Sequence, residues 1–214
     1  MGIKDRKLRE SEEKKELRKK QILTSARKLF STHSFSDVSM ADIANDCEIS
    51  KGTLYLYFKT REELIFHLIV DFFESKIHFP NMDSDNSGYA DLENFIDYLK
   101  KEYLNDIQMK HLIAHFDYYF TESYPEELPI VQKYIEYIQK GIELLMSVIS
   151  KGIEDKSIKP GFEIRKTASM ILNLSGSFGF KTSVRRNIML KIQNTDPKDQ
   201  YFLLLDLILD SLRN

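Results

Sequence analysis

The sequence predicts an all-α fold. Apolar residues recur at helical spacing along most of the chain. From Tyr89 onward, no stretch alternates apolar and polar residues consistently enough to predict a strand. Two helix-start signals stand close together, a capping box formed by Ser39 and Asp42 and a capping serine at Ser50. With 214 residues, the chain can build a sizeable core in one or two domains.

Composition and charge describe an ordinary globular protein with one basic end. Hydrophobic residues make up 42% of the chain, which excludes a disordered or collagen-like protein. Residues 1–61 contain 14 Lys or Arg against 9 Asp or Glu, whereas the remainder contains 17 against 24. A basic N-terminal part followed by an acidic remainder is typical of a protein that binds a polyanion through one end. No signal peptide or membrane span is expected, and the single Cys47 excludes an internal disulfide framework, so we expect a cytoplasmic protein.

The first predicted helix spans Lys14 to Thr32, after a charged stretch at residues 1–13 that we expect to fray. Its early turns are basic, and this face is either merely solvated or placed to contact phosphates. A second helix begins after Ser39. A third covers Lys51 to Tyr57 and, being too short to be stable alone, must be held by neighbours.

The third helix has the pattern of a DNA-reading element. Leu54 and Phe58, at positions i and i+4, supply a buried face. Charge, hydroxyl groups and a glycine that allows close backbone approach remain on the outside, as contacts to phosphates and base edges require. The predicted DNA-contacting residues are Ser39, Lys51, Gly52, Thr53, Tyr55, Tyr57 and Lys59. Together the two short helices predict a helix-turn-helix.

The residues Ser39-Met40-Ala41-Asp42-Ile43-Ala44, followed by Ile49-Ser50-Lys51-Gly52-Thr53-Leu54-Tyr55-x-Tyr57-Phe58-Lys59, resemble the N-terminal signature of the TetR family of bacterial transcriptional repressors. The resemblance covers about Leu17 to Ile69. Two positions depart from the family pattern. Cys47-Glu48 replaces the usual Ala-Gly of the turn, so we expect Glu48 at positive φ with local strain on the order of 1 kcal/mol, and Ser34 replaces the glycine after the first helix.

The rest of the chain is predicted to be a helical bundle. A connector helix from Arg61 to His78 leads to the polar linker NMDSDNSG, and further helices are expected near 89–105, 107–122, 127–153, 162–182 and 199–213. We therefore expect a three-helix DNA-binding domain at 1–60 and a ligand-binding and dimerisation domain at 61–214.

Aromatic residues in the bundle are either ordinary core or, as the resemblance implies, the lining of a pocket for an apolar or aromatic molecule. The candidate ligand-binding residues are Tyr103, His115, Tyr119 and Asn173. The last two helices have wide apolar faces, which the resemblance assigns to a homodimer interface and which otherwise close the monomer core. Those faces comprise Met170, Ile171, Leu174, Phe178, Phe202, Leu205, Leu209 and Leu212.

No chemistry of catalysis or metal binding can be assembled from the sequence. His111 and His115 stand at i and i+4, but no third ligand is placed to complete a metal site. No phosphate loop, nucleophile motif or dinucleotide fingerprint is present, so we predict no cofactor and no enzyme. The resemblance to the TetR family implies a repressor that binds a palindromic operator as a dimer and is released by a small apolar or aromatic ligand. The alternative is a DNA-binding protein of the same fold without a small-molecule inducer, acting architecturally or with a protein partner.

Overall fold

The computed structural model describes residues 3–76, 79–80, 83–103, 105 and 107–214, and within these ranges the chain forms ten α-helices and no strand beyond one isolated bridge. The predicted all-α class is confirmed. The helices are α1 (Ile3–Phe30), α2 (Met40–Asp46), α3 (Lys51–Tyr57), α4 (Arg61–Lys76), α5 (Gly88–Glu102), α6 (Ile107–Tyr119), α7 (Pro129–Glu154), α8 (Ile164–Val184), α9 (Arg186–Gln193) and α10 (Pro197–Leu212).

The first hydrophobic core lies under the helix-turn-helix and continues into the bundle. In α1, Ile22, Ala26 and Phe30 follow one another at i, i+4 spacing and are fully buried, as a helix with one core-facing stripe requires. Ile43 of α2 and Leu54 of α3 complete the N-terminal part. Buried residues of α4, α6 and the start of α7 belong to the same cluster, so the helix-turn-helix and the bundle share one continuous core.

A second core joins α5, α7, α8 and α10. Two glycines set the distance between α5 and α7. A Cβ added to Gly88 would stand 2.1 Å from the backbone nitrogen of Gly152, so the two helices meet backbone to backbone where any larger residue would separate them.

The observed helices depart from the predicted ones at α1 and at α9. Helix α1 already begins at Ile3, although residues 1–13 were expected to fray. The connector α4 is described to Lys76, and the expected end at His78 lies outside the described residues. Helix α9 was not predicted at all. Its last residue precedes Asn194, whose left-handed backbone at φ 50° is a common way to end a helix.

Candidate functional site

The turn between α2 and α3 fixes the angle of the helix-turn-helix. Glu48 has φ 54°, which confirms the predicted left-handed backbone at this position. The N–H of Ile49 donates to the carbonyl of Ala44 at 3.0 Å, and the N–H of Glu48 donates to the carbonyl of Asn45 at 3.1 Å. This pair of hydrogen bonds is the Schellman arrangement, which satisfies the last carbonyls of α2 and turns the chain sharply into α3.

Both short helices carry the predicted caps. The Ser39 hydroxyl accepts from the N–H of Asp42 at 3.2 Å, while the Asp42 carboxylate accepts from the N–H of Ser39 at 2.8 Å. The Ser39 hydroxyl also donates to the Asp42 carboxylate at 2.6 Å, and this bond, followed by the one from the Ser39 N–H, lowers the pKa of Asp42 below its usual value. At α3, the Ser50 hydroxyl accepts from the N–H of Thr53 at 3.0 Å and also lies 2.8 Å from the Thr53 hydroxyl. The Ser39 side chain therefore caps α2, and the Thr53 hydroxyl contacts the Ser50 cap of α3, whatever further contacts their oxygens make.

The exposed side of α3 presents a compact basic and aromatic surface. Lys51 and Gly52 are exposed in the first turn, and the Lys51 ammonium lies 5.8 Å from the centre of the Tyr55 ring, which is itself 42% exposed. At Gly52 an added Cβ would meet only the Ser50 hydroxyl, at 3.8 Å, so packing within the chain does not demand a glycine there. Its absent side chain instead leaves room for an external partner.

The two predicted contact residues at the end of α3 differ from each other. Tyr57 is half-buried against the first core, so only part of its ring can reach a partner. Lys59 is exposed, and its backbone N–H donates to the Glu63 carboxylate at 2.6 Å, which fixes the start of α4.

Sequence reasoning missed Leu56, whose side chain is 81% exposed on this surface. Leu54 and Phe58 are both fully buried, and a residue midway between an i, i+4 pair points to the opposite side of a helix. The spacing of Leu54 and Phe58 in the sequence could therefore have predicted that Leu56 points outward. An apolar side chain in this place can touch the methyl group of thymine in the major groove.

A large cavity of about 780 Å³ lies inside the bundle, bounded by α4, α5, α6, α7, α8 and α10. Its walls are mainly aromatic, and its size is that of a site for a small organic molecule. The lining residues are Phe72, Phe73, Phe79, Tyr98, Leu99, Glu102, Tyr103, Asn105, Lys110, Ile113, Asp117, Tyr134, Tyr137, Ile138, Leu172, Asn173, Ser175, Gly176, Ser177, Gly179, Phe180 and Tyr201.

Two of the four predicted ligand-binding residues line this cavity and two do not. Tyr103 stacks on Tyr201 with ring centres 4.9 Å apart, and Asn173 faces the cavity from α8. His115 and Tyr119 lie instead at the junction with the helix-turn-helix. Both pack edge-on against Phe35, at 6.3 Å and 5.8 Å between ring centres.

Three charged residues line the cavity, namely Glu102, Lys110 and Asp117, and they differ in the partners that they have. Lys110, only 7% exposed, donates from its ammonium to the carbonyl oxygens of Glu102, at 2.6 Å, and of Tyr103. A cation bonded to carbonyls at the C-terminal end of α5 is favourably placed. Asp117 lines the cavity beside Tyr134, and burial raises the pKa of its carboxyl. The side chain is nevertheless exposed to solvent, so the neighbouring protein removes only part of the water around it. A lone acid within the aromatic run HFDYYF was the sequence signal for this residue.

Within the described ranges, no group of three or more His, Cys, Asp or Glu side chains is placed to hold a metal ion. Nor does any helix in that part of the chain have the length and apolar character needed to cross a membrane.

The comparisons with known proteins agree on one class. Residues 22–68, from the middle of α1 into α4, match the family model described as bacterial regulatory proteins, tetR family. The HTH-type transcriptional regulator YfiR of Bacillus subtilis is 24% identical over 170 residues, covering 77% of this chain and 80% of YfiR. Among solved structures, NalD of Pseudomonas aeruginosa, the secondary repressor of the MexAB-OprM multidrug efflux pump, superposes with a TM-score of 0.64 at 18% identity, covering 94% of this chain and 98% of NalD. The regulator FadR of Bacillus subtilis, in complex with stearoyl-CoA, gives 0.57 at 19% identity, covering 90% and 98%.

Proposed function

Because the chain belongs to the TetR family of bacterial regulatory proteins, a family of DNA-binding transcriptional regulators, we propose that it is a repressor that binds a palindromic operator as a homodimer and leaves it when a small apolar or aromatic molecule enters the cavity. We assign residues 1–60 to DNA binding and residues 61–214 to ligand binding and dimerisation. The observation that carries the proposal is the exposed surface of α3, where Lys51, Tyr55 and Leu56 stand clear of the core.

The surface of α3 supports DNA reading because it offers both kinds of contact that binding in a major groove requires, one to phosphates and one to base edges. Lys51 offers charge to phosphates, and Tyr55 and Leu56 offer a hydroxyl and apolar surface to base edges. One helix of seven residues reaches only a few base pairs. A twofold dimer that reads two half-sites about 34 to 36 Å apart would supply the missing affinity and specificity.

Exposed apolar residues on α8 and α10 support the dimer. Met170 and Leu174 lie at i, i+4 on α8, and Leu203 and Leu207 lie at i, i+4 on α10, which packs against α8. Several residues expected at this interface, among them Ile171, Leu205, Leu209 and Leu212, are instead buried in the second core of the monomer. The broad apolar faces thus divide into an inner part that closes the monomer and an outer part that we assign to the partner subunit.

The cavity favours a ligand-responsive regulator over a protein of this fold without an inducer, since a bundle with no need of a ligand could be packed without such a space. Release requires a ligand that binds more tightly to a conformation in which the two α3 helices no longer match successive major grooves. The shared core of α4, α6 and the helix-turn-helix provides a continuous path for such a change.

The test is binding of the purified protein to labelled DNA from upstream of its own gene, with unrelated DNA as control, at several salt concentrations. We expect tight binding to the upstream fragment that weakens as salt rises. Equal and weak binding to both DNAs would count against repression at this promoter. Addition of candidate ligands to the bound complex then tests release.

A further inference from the structure

Asp117 places one carboxylate in the aromatic cavity. It lies one helical turn beyond Ile113 on α6, and both residues line the cavity. No hydrogen bond or ion pair joins the Asp117 carboxylate to another residue in the described part of the chain. The Asp117 side chain is exposed to solvent, but a ligand that fills the cavity would displace water from its carboxylate. That displacement costs free energy unless the ligand brings a cation or a hydrogen-bond donor to the carboxylate.

The other charged groups of the cavity are engaged elsewhere. The Lys110 ammonium bonds to the carbonyl oxygens of Glu102 and Tyr103 at the end of α5. The Glu102 carboxylate accepts a hydrogen bond from the Asn105 side-chain amide at 3.0 Å. Asp117 is therefore the charge in the cavity that is left for a ligand to neutralise.

The walls around Asp117 suit a positive charge as well. Tyr134 lies close enough for the negative charge of Asp117, after burial, to help raise the pKa of the tyrosine to about 12, so its ring remains neutral. Phe180 lines the same cavity from α8. Faces of aromatic rings attract cations, and they do so more strongly away from water.

We propose that the ligand of this cavity is an organic cation with an apolar or aromatic body, whose positive charge pairs with Asp117. This inference rests on the proposed function, because it specifies the ligand class of the same cavity. An anionic ligand with its charge in the cavity would face repulsion from Asp117, whereas a neutral apolar ligand would displace water from the carboxylate and offer nothing in its place.

The test uses three probes with one body and different head groups: 6-phenylhexyltrimethylammonium, 6-phenylhexan-1-ol and 6-phenylhexanoate. Isothermal titration calorimetry with the full chain should show the ammonium binding about tenfold or more tightly than the alcohol, with the carboxylate weakest. In Asp117→Asn the affinities for ammonium and alcohol should agree within about threefold, with the alcohol little changed. Asp97→Asn, which alters an exposed carboxylate on α5 outside the cavity lining, should retain the full preference.

The inference is overturned if the alcohol or the carboxylate binds wild-type protein as tightly as the ammonium, or if Asp117→Asn keeps the preference. It is also overturned if none of the probes binds. Binding of the same preparations to upstream DNA separates this failure from failure of the proposed function. Ammonium binding that depends on Asp117 but leaves the DNA complex intact would support the cation site and count against ligand-driven release.

Discussion

The guanidinium of Arg61 donates to the hydroxyl of Tyr119 at 2.6 Å, joining the first residue of α4 to the last residue of α6. Its other terminal nitrogen donates to the backbone carbonyl of Phe35 at 3.1 Å, in the loop that leads from α1 to α2. The Tyr119 hydroxyl in turn donates to Glu62 at 3.3 Å. Helix α6 also carries Asp117, which lines the cavity. If a ligand in the cavity moves α6, the movement would therefore act on the helix-turn-helix through Arg61.

Tyr119→Phe removes the acceptor of the Arg61 hydrogen bond and keeps the ring that packs on Phe35. We expect the free energy of unfolding to fall by about 1 to 2 kcal/mol, because a half-buried charged donor loses its partner. We also expect ligand to weaken operator binding less than in wild type, measured as the ratio of the operator dissociation constants with and without ligand. Tyr118→Phe is the matched control, since the Tyr118 side chain is 82% exposed. An unchanged ratio in Tyr119→Phe would exclude this contact from the coupling.

The helix-turn-helix was predictable nearly residue by residue, because its signals are local. The capping box at Ser39, the cap at Ser50 and the left-handed Glu48 each follow from a few neighbouring residues. The cavity could not be predicted from the sequence, because its walls come from six helices whose arrangement depends on long-range packing. Aromatic residues of α6 could be recognised from the sequence, but whether they face the cavity or the helix-turn-helix could not. The contact of Gly88 with Gly152 likewise joins residues far apart in the chain.

Lys51→Ala and Tyr55→Ala should each weaken operator binding and leave the melting temperature and dimerisation nearly unchanged, because both side chains are exposed. If Lys51 neutralises one phosphate, its loss should also reduce the salt slope of binding by about 0.9. Fluorescence anisotropy over a salt series measures both quantities. Lys140→Ala, an exposed lysine on α7, serves as control. Weaker binding together with a lower melting temperature would mean that the two residues support the fold.

Leu56→Ala should relax the choice of base at one position of each half-site. The expected contact is with a thymine methyl group, which deoxyuridine lacks. Replacing each operator thymine in turn by deoxyuridine should weaken wild-type binding at one position by roughly threefold to tenfold and leave Leu56→Ala insensitive there. If both proteins respond equally to every replacement, Leu56 does not read a methyl group.

Protonation of His67 on unfolding should make the protein less stable in mild acid. Its ring lies 5.3 Å from that of Phe58, and burial, helped by the charges of Lys19 and Lys133, lowers the pKa of His67 to about 4. Between pH 6.5 and pH 4 the unfolded chain therefore binds a proton that the folded chain excludes, so stability falls as the pH falls through this window. Because the side chain is only half-buried, we expect a loss of about 1 to 2 kcal/mol by pH 5.

His67→Gln removes this titration, so the variant should lose less stability than wild type between pH 7 and pH 5. Urea unfolding at both pH values gives the comparison directly. Parallel losses in the two proteins would assign the acid sensitivity to other groups.

Leu207→Glu tests the assignment of the outer faces of α8 and α10 to a partner subunit. Leu207 is 58% exposed and Leu203 is 59% exposed, so a charge at position 207 should be tolerated by the folded monomer. In a dimer it would bury an unpaired carboxylate among apolar side chains, and the dimer dissociation constant should rise by about a hundredfold or more.

Analytical ultracentrifugation over a range of protein concentrations measures this change, and operator affinity should fall with it because a monomer reads only one half-site. Leu17→Glu, which places the same charge at an exposed leucine of α1, should remain dimeric. A Leu207→Glu protein that sediments as wild type would show that the two subunits meet elsewhere.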